Sequence, residues 1–179
     1  MINADVFFVF YIVVFGFIGM SRGWVREMIV TFSMMFALFI YQIEPVKQIF
    51  NTLTNNQGDV LLKFILKFFF FAFVTFFGYL SPVVARDRLA KNSSNRFEYG
   101  LLSFMIGVLN GYLFFSMLAH TALITGLLDA PQYVSLWHAP DGGWNNFFFI
   151  KSAAPVVFTG SLLIFIVIII FLFVIIVLV

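Results

Sequence analysis

The chain has 179 residues, 63% of them apolar and only 10% charged, with a net charge of +2 and no cysteine. A soluble domain carries about 25% charged residues, so the composition excludes one, and a net charge this small does not suggest a nucleic-acid partner, so none is expected. The absent thiols exclude disulfides, cysteine-ligated zinc and iron–sulfur clusters. At about 20 residues per crossing of a bilayer core, the length predicts an all-α integral membrane protein with about five transmembrane helices and no soluble domain. The apolar runs are too long and too continuous for barrel strands.

The first run, Val6 to Met20, follows Asp5 rather than a basic stretch, and reads as a retained helix instead of a cleaved signal. Gly19 and Gly23 form a small-xxx-small pair, the spacing that lets two helix backbones approach. The polar island Ser21-Arg22-Gly23-Trp24-Val25-Arg26-Glu27 then marks a membrane surface, because a charge at the bilayer centre costs about 2.5–3.5 kcal/mol. Arg22 and Arg26, one helical turn apart, are expected on one face and in one headgroup layer. Glu27 falls in the first turn of the next helix, where unsatisfied amides favour a carboxylate. Arg22, Arg26 and Glu27 are thus candidates for an interfacial anchor or a recognition surface.

The second run, Trp24 to Tyr41, is expected to end at Glu44, Pro45 and Lys47, with a polar loop over residues 51–59. A third run, Leu61 to Leu80, opens with Lys63 and Lys67, read as snorkelling to the surface or, for Lys67, pairing with Glu44 or Asp59. Beyond Pro82 the loop carries Arg86, Arg88, Lys91 and Arg96, candidate contacts for anionic lipid headgroups. The fourth run, Tyr99 to Leu127, bears Ser103, Gly107 and Gly111, two successive small-xxx-small steps and the strongest helix-packing signal in the chain. His120, late in this run, reads as an interfacial hydrogen-bonding residue. Residues 128–158 read as a loop with an element lying along the headgroups, in which His138 and Asp141 are too few donors for a metal site. The last run, Gly160 to Val179, is uniformly apolar and is expected to cross, facing lipid or a partner.

Charge orients these crossings. Six basic residues with three acids flank the arginine loops, for a net +3, while four lysines with five acids lie opposite, for a net −1. The positive-inside rule places the arginine loops in the cytoplasm, with the N-terminus outside and the C-terminus inside, or in the equivalent arrangement of an organelle inner membrane.

Arg22-Gly23-x-Val25-Arg26-Glu27 before a long apolar helix resembles the colicin V production (CvpA) family of bacterial inner-membrane proteins, whose pattern is a short helix, an Arg-Gly-x-x-Arg-Glu turn and a second helix. Gly107-Val108-Leu109-Asn110-Gly111 is similar to that family's Gly-x-x-x-Gly helix, with Asn110 where an arginine is usual, and Lys151-Ser152-Ala153-Ala154-Pro155 is similar to its Ser-x-x-Pro region. The resemblance implies a four-helix membrane domain over residues 1–155, followed by a C-terminal helix over 159–179, in the bacterial inner membrane. It also implies a non-catalytic role in envelope homeostasis or small-toxin export. The alternatives are an accessory subunit that packs helices and lipids in a larger respiratory or photosynthetic complex, and a small transporter. The sequence holds no nucleophile with a base, phosphate-binding glycine loop or metal cluster, so neither an enzyme nor a cofactor is expected. The expected partners are membrane lipids and either other membrane subunits or further copies of the chain.

Overall fold

The computed structural model describes residues 2–55, 59–80, 96–130, 137–138, 148–157 and 160–178. The helices in chain order are α1 (Ala4–Arg22), α2 (Trp24–Gln42), α3 (Glu44–Asn55), α4 (Val60–Leu80), α5 (Arg96–Ile124), α6 (Phe148–Lys151), α7 (Ala154–Val157) and α8 (Gly160–Leu178). Non-helical pairing among the described residues is a two-residue parallel bridge, β1 (Ile2–Asn3) with β2 (Trp137–His138). Three helices, Trp24–Gln42, Val60–Leu80 and Glu98–Ile124, are long and apolar enough to cross a membrane, and a fourth span is present if Phe148–Val157 and Gly160–Leu172, bent by 76°, form one broken crossing. The expected five included the first run, whose apolar stretch Val6–Arg22 is a shorter helix.

Gly23 is the whole connection between α1 and α2. Its φ of 93° lies in the left-handed region that glycine alone enters freely, so the helix breaks there and restarts at Trp24. Two expectations change as a result. Arg22 ends one helix and Arg26 belongs to the next, so they do not share a helical face. Gly23 is a turn glycine and not a packing one, since a Cβ there would meet nothing within 4 Å.

Gly19 does pack, but in company with Gly16. α1 and α5 run antiparallel with their backbones nearly in contact. A Cβ on Gly19 would lie 2.7 Å from the Ser103 carbonyl oxygen and 2.8 Å from the Gly107 Cα, and one on Gly107 would lie 2.5 Å from the Phe15 carbonyl oxygen. Gly111 continues the seam, with a Cβ position 3.1 Å from the Ile12 Cα, and Phe8 closes it against Phe115 with ring centroids 5.5 Å apart. Lipid tails are as apolar as the side chains, so close van der Waals contact of this kind, more than burial, holds membrane helices together.

On its other side α5 packs against α2, the centre of the bundle. Val30, Met34 and Leu38 of α2 form one core with Phe71 of α4, Leu113 and Met117 of α5, and Leu163 of α8. Gly78 brings α4 close to α2, its Cβ position falling on the Ser33 side chain and 3.2 Å from the Val30 Cα. α8 lies along α2, with the Phe171 ring 5.8 Å from that of Phe32. α5 is one unbroken helix of 29 residues, closed by a left-handed Gly126 and a single 3-10 turn, Leu127–Asp129.

Two segments depart from the sequence expectation. The chain does not leave α2 as a loop: after Ile43 it forms α3, whose apolar residues Val46, Ile49, Phe50 and Leu53 follow a helical repeat among polar neighbours. α2 ends at Gln42 as expected, and Pro45, in the first turn of the next helix where its missing N–H costs nothing, opens α3. Within the expected interfacial loop, α6 buries Phe149 and Ile150 against α1 and α5 while Phe148 and Lys151 stay exposed, so one face of this part packs on the bundle. Asp141 and the rest of that loop, together with Arg86, Arg88 and Lys91, lie outside the described residues, and of Arg96 only the backbone, at the start of α5, is described.

Candidate functional site

The break at Gly23 places the last residue of α1 beside the first turn of α2. Arg22 and Glu27 therefore meet across the turn, Nη1 to Oε1 at 3.1 Å, although in one continuous helix five residues would set them on different faces. Glu27 is only 1% exposed, so it does not reach the headgroups as expected of an anchor; Arg22 is 20% exposed at the side chain. A buried carboxylate needs both a counter-charge and hydrogen bonds. The second oxygen obtains one from α5: Asn110 Nδ2 donates to Glu27 Oε2 at 2.9 Å and also to the Glu27 carbonyl oxygen at 2.9 Å.

Thr31, one turn along α2, completes the set. Its hydroxyl lies 2.7 Å from Asn110 Oδ1 and 2.9 Å from the Glu27 carbonyl oxygen, and its single proton serves one or both as a shared bond. Both amide protons of Asn110 are thereby engaged, its oxygen faces the Thr31 hydroxyl, and the residue is 0% exposed. Arg22 reaches onward to α4, where Nη2 donates to the Tyr79 carbonyl oxygen at 3.3 Å and the guanidinium stands 4.2 Å from the Tyr79 ring centroid. That carbonyl belongs to the last turn of α4, whose acceptors have no partner in the helix and whose dipole favours a cation. One arginine thus neutralises a carboxylate, caps a helix and lies against an aromatic face.

The arrangement ties α1, α2, α4 and α5 together through polar bonds inside an apolar bundle. Each of the two carboxyl oxygens of Glu27 takes part in a hydrogen bond, one to Arg22 and one to Asn110. Of the sequence candidates the network gathers Arg22 and Glu27; Arg26 stands half-buried in α2. The residues missed were Asn110, Thr31 and Tyr79. Asn110 carried a signal, as an amide in the middle of a run without charge, where an interhelical hydrogen bond is the usual reason for a polar side chain. Thr31 and Tyr79 carried none, because both are ordinary residues of membrane helices.

The remaining polar groups do not join this network. Glu44 pairs with Lys47 at 2.7 Å, not with Lys67, and Asp59 Oδ1 accepts the Leu61 backbone N–H at 2.9 Å at the start of α4. His120 Nδ1 and the hydroxyls of Thr75 and Thr121 are buried without a hydrogen-bond partner among the described residues. Among the described residues there is no group of three histidine, cysteine, aspartate or glutamate side chains able to hold a metal ion.

The chain matches no protein-family model, no curated protein and no solved structure.

Proposed function

We propose that the protein is a non-catalytic integral membrane protein of CvpA-like architecture that acts in its membrane by association, either with further copies of itself or with other membrane subunits, in envelope homeostasis or the export of a small toxin. The observation that carries this reading is that Glu27 is buried with both of its oxygens engaged by the chain itself. A carboxylate used for proton or ion coupling needs a free oxygen or access to water, whereas this one is held by Arg22 and Asn110 and shielded from solvent. On this reading α1 and α8 are crossings too, giving five, with Ser21 and the Arg22–Glu27 turn on the cytoplasmic side.

An accessory role in a larger complex is favoured by α8. Within the chain its main support is α2, and Leu162, Phe165, Ile168 and Leu172 point away from the bundle. Extraction in a mild detergent, followed by mass determination of the intact particle, separates the readings. A monomer or self-oligomer is expected for the CvpA-like protein; stoichiometric recovery with redox or pigment-binding subunits would replace it with the accessory one.

A further inference from the structure

α3 has a surface that the bundle does not use. Its apolar stripe is divided: Phe50 turns inward, its ring 5.7 Å from Tyr41 and 5.4 Å from Phe70, while Ile49 and Leu53 remain 59% and 53% exposed. Gln48 and Thr52, one position earlier in each case, are also exposed but polar, and Glu44 and Lys47 neutralise one another beside them. One residue, Ile43, joins α3 to the end of α2, a helix long enough to span, and Phe50 holds α3 against α4. The helix is therefore fixed at the end of α2 opposite the Arg22–Glu27 turn, beside Phe70 of α4. The Glu44–Lys47 pair leaves no net charge on its first turn to draw a charged partner.

We infer that α3 is an interfacial helix, with Ile49 and Leu53 seated in the boundary between headgroups and acyl chains of the same bilayer that α2 and α4 cross. The occupant of the exposed stripe is lipid. The apolar side chains replace water with acyl chains, and Gln48 and Thr52 remain on the aqueous side. The short link to α2 makes α3 a collar that fixes how deeply the α2–α4 pair sits.

The inference rests on the membrane reading, and a single experiment tests both separately. The chain has no cysteine, so Ile49→Cys, Leu53→Cys, Gln48→Cys and Thr52→Cys each carry one nitroxide label. Phe73→Cys, at an exposed position midway along α4, serves as a reference. In vesicles of phosphatidylcholine and phosphatidylglycerol, collision with oxygen reports lipid and collision with a water-soluble nickel chelate reports water. Labels at 49 and 53 are expected to show an oxygen-to-nickel ratio severalfold above those at 48 and 52. If all four favour nickel while 73 favours oxygen, α3 stands in water and the inference fails alone. If 49 and 53 are shielded from both reagents, a protein surface covers the stripe and the inference is again overturned. A label at 73 that favours nickel overturns the membrane reading and this inference with it.

Discussion

Arg22 and Glu27 illustrate why a buried ion pair is better judged by what its removal leaves behind than by its own strength. Arg22→Met leaves a carboxylate 1% exposed with no counter-charge, and breaking a buried pair in this way costs about 3–5 kcal/mol. Adding Glu27→Gln to that variant removes the charge and keeps an oxygen to accept from Asn110, so the double variant is expected to recover a large part of the loss. Thermal unfolding in mild detergent checks this; a double variant less stable than the single one would show that Glu27 is held for a reason other than its partner. Recovery is expected to be incomplete, because Arg22 also caps the end of α4 at the Tyr79 carbonyl oxygen. Asn110→Ala removes the donor to Glu27 Oε2 and the acceptor of Thr31. Interhelical bonds of this kind average about 0.6 kcal/mol in membrane proteins, and a buried oxygen left without a donor adds about 1–3 kcal/mol. A loss of about 2 kcal/mol or more is expected in the same measurement.

Among the elements, the contact of α1 with α5 depends on the absence of side chains. Gly107→Ala places a methyl 2.5 Å from the Phe15 carbonyl oxygen and 3.0 Å from the Gly19 Cα, both backbone atoms that cannot move alone. Overpacking of this sort costs about 1–3 kcal/mol. Gly100→Ala, two turns earlier in α5, meets only the flexible end of Met20 at 3.5 Å and gains helix propensity of up to about 1 kcal/mol. The two variants should therefore shift the unfolding midpoint in opposite directions. Small residues at four-residue spacing made Ser103, Gly107 and Gly111 legible in the sequence, but not which helix they face, and so Gly23 was grouped with Gly19 although its role is conformational. The apolar runs similarly gave α2, α4 and α5 nearly to their ends. α3 was not legible: Glu44, Pro45, Gln48, Asn51 and Thr52 are what a polar loop contains, and the four-residue apolar stripe among them is too sparse to register as a run. The Arg22–Glu27 pair was hidden for a different reason. Its residues were visible, but the left-handed turn at Gly23 that brings them together is a backbone property that many glycines lack.

At the scale of the molecule, α2 separates the Arg22–Glu27 turn from α3, so the two lie at opposite ends of a helix long enough to span, and the membrane reading proposed above puts them on opposite faces. Cysteines introduced at the exposed Ser21 and Asp59 should react with an impermeant maleimide from opposite sides, Ser21→Cys from the cytoplasmic side. Reaction of both from one side would mean that α2 does not cross. The polar network also sets an order in time. Arg22 and Glu27 are five residues apart, whereas Asn110 lies 83 residues beyond Glu27. Arg22 and Glu27 can therefore pair as soon as α1 and the first turn of α2 have formed, before α5 exists, leaving Arg26 as the unbalanced charge of the turn. The Glu27 carboxylate then waits, half satisfied, for α5 to arrive with the amide and the glycine face together. The network thus joins one contact that is local in sequence to one that is distant, and only the distant one depends on the arrival of α5.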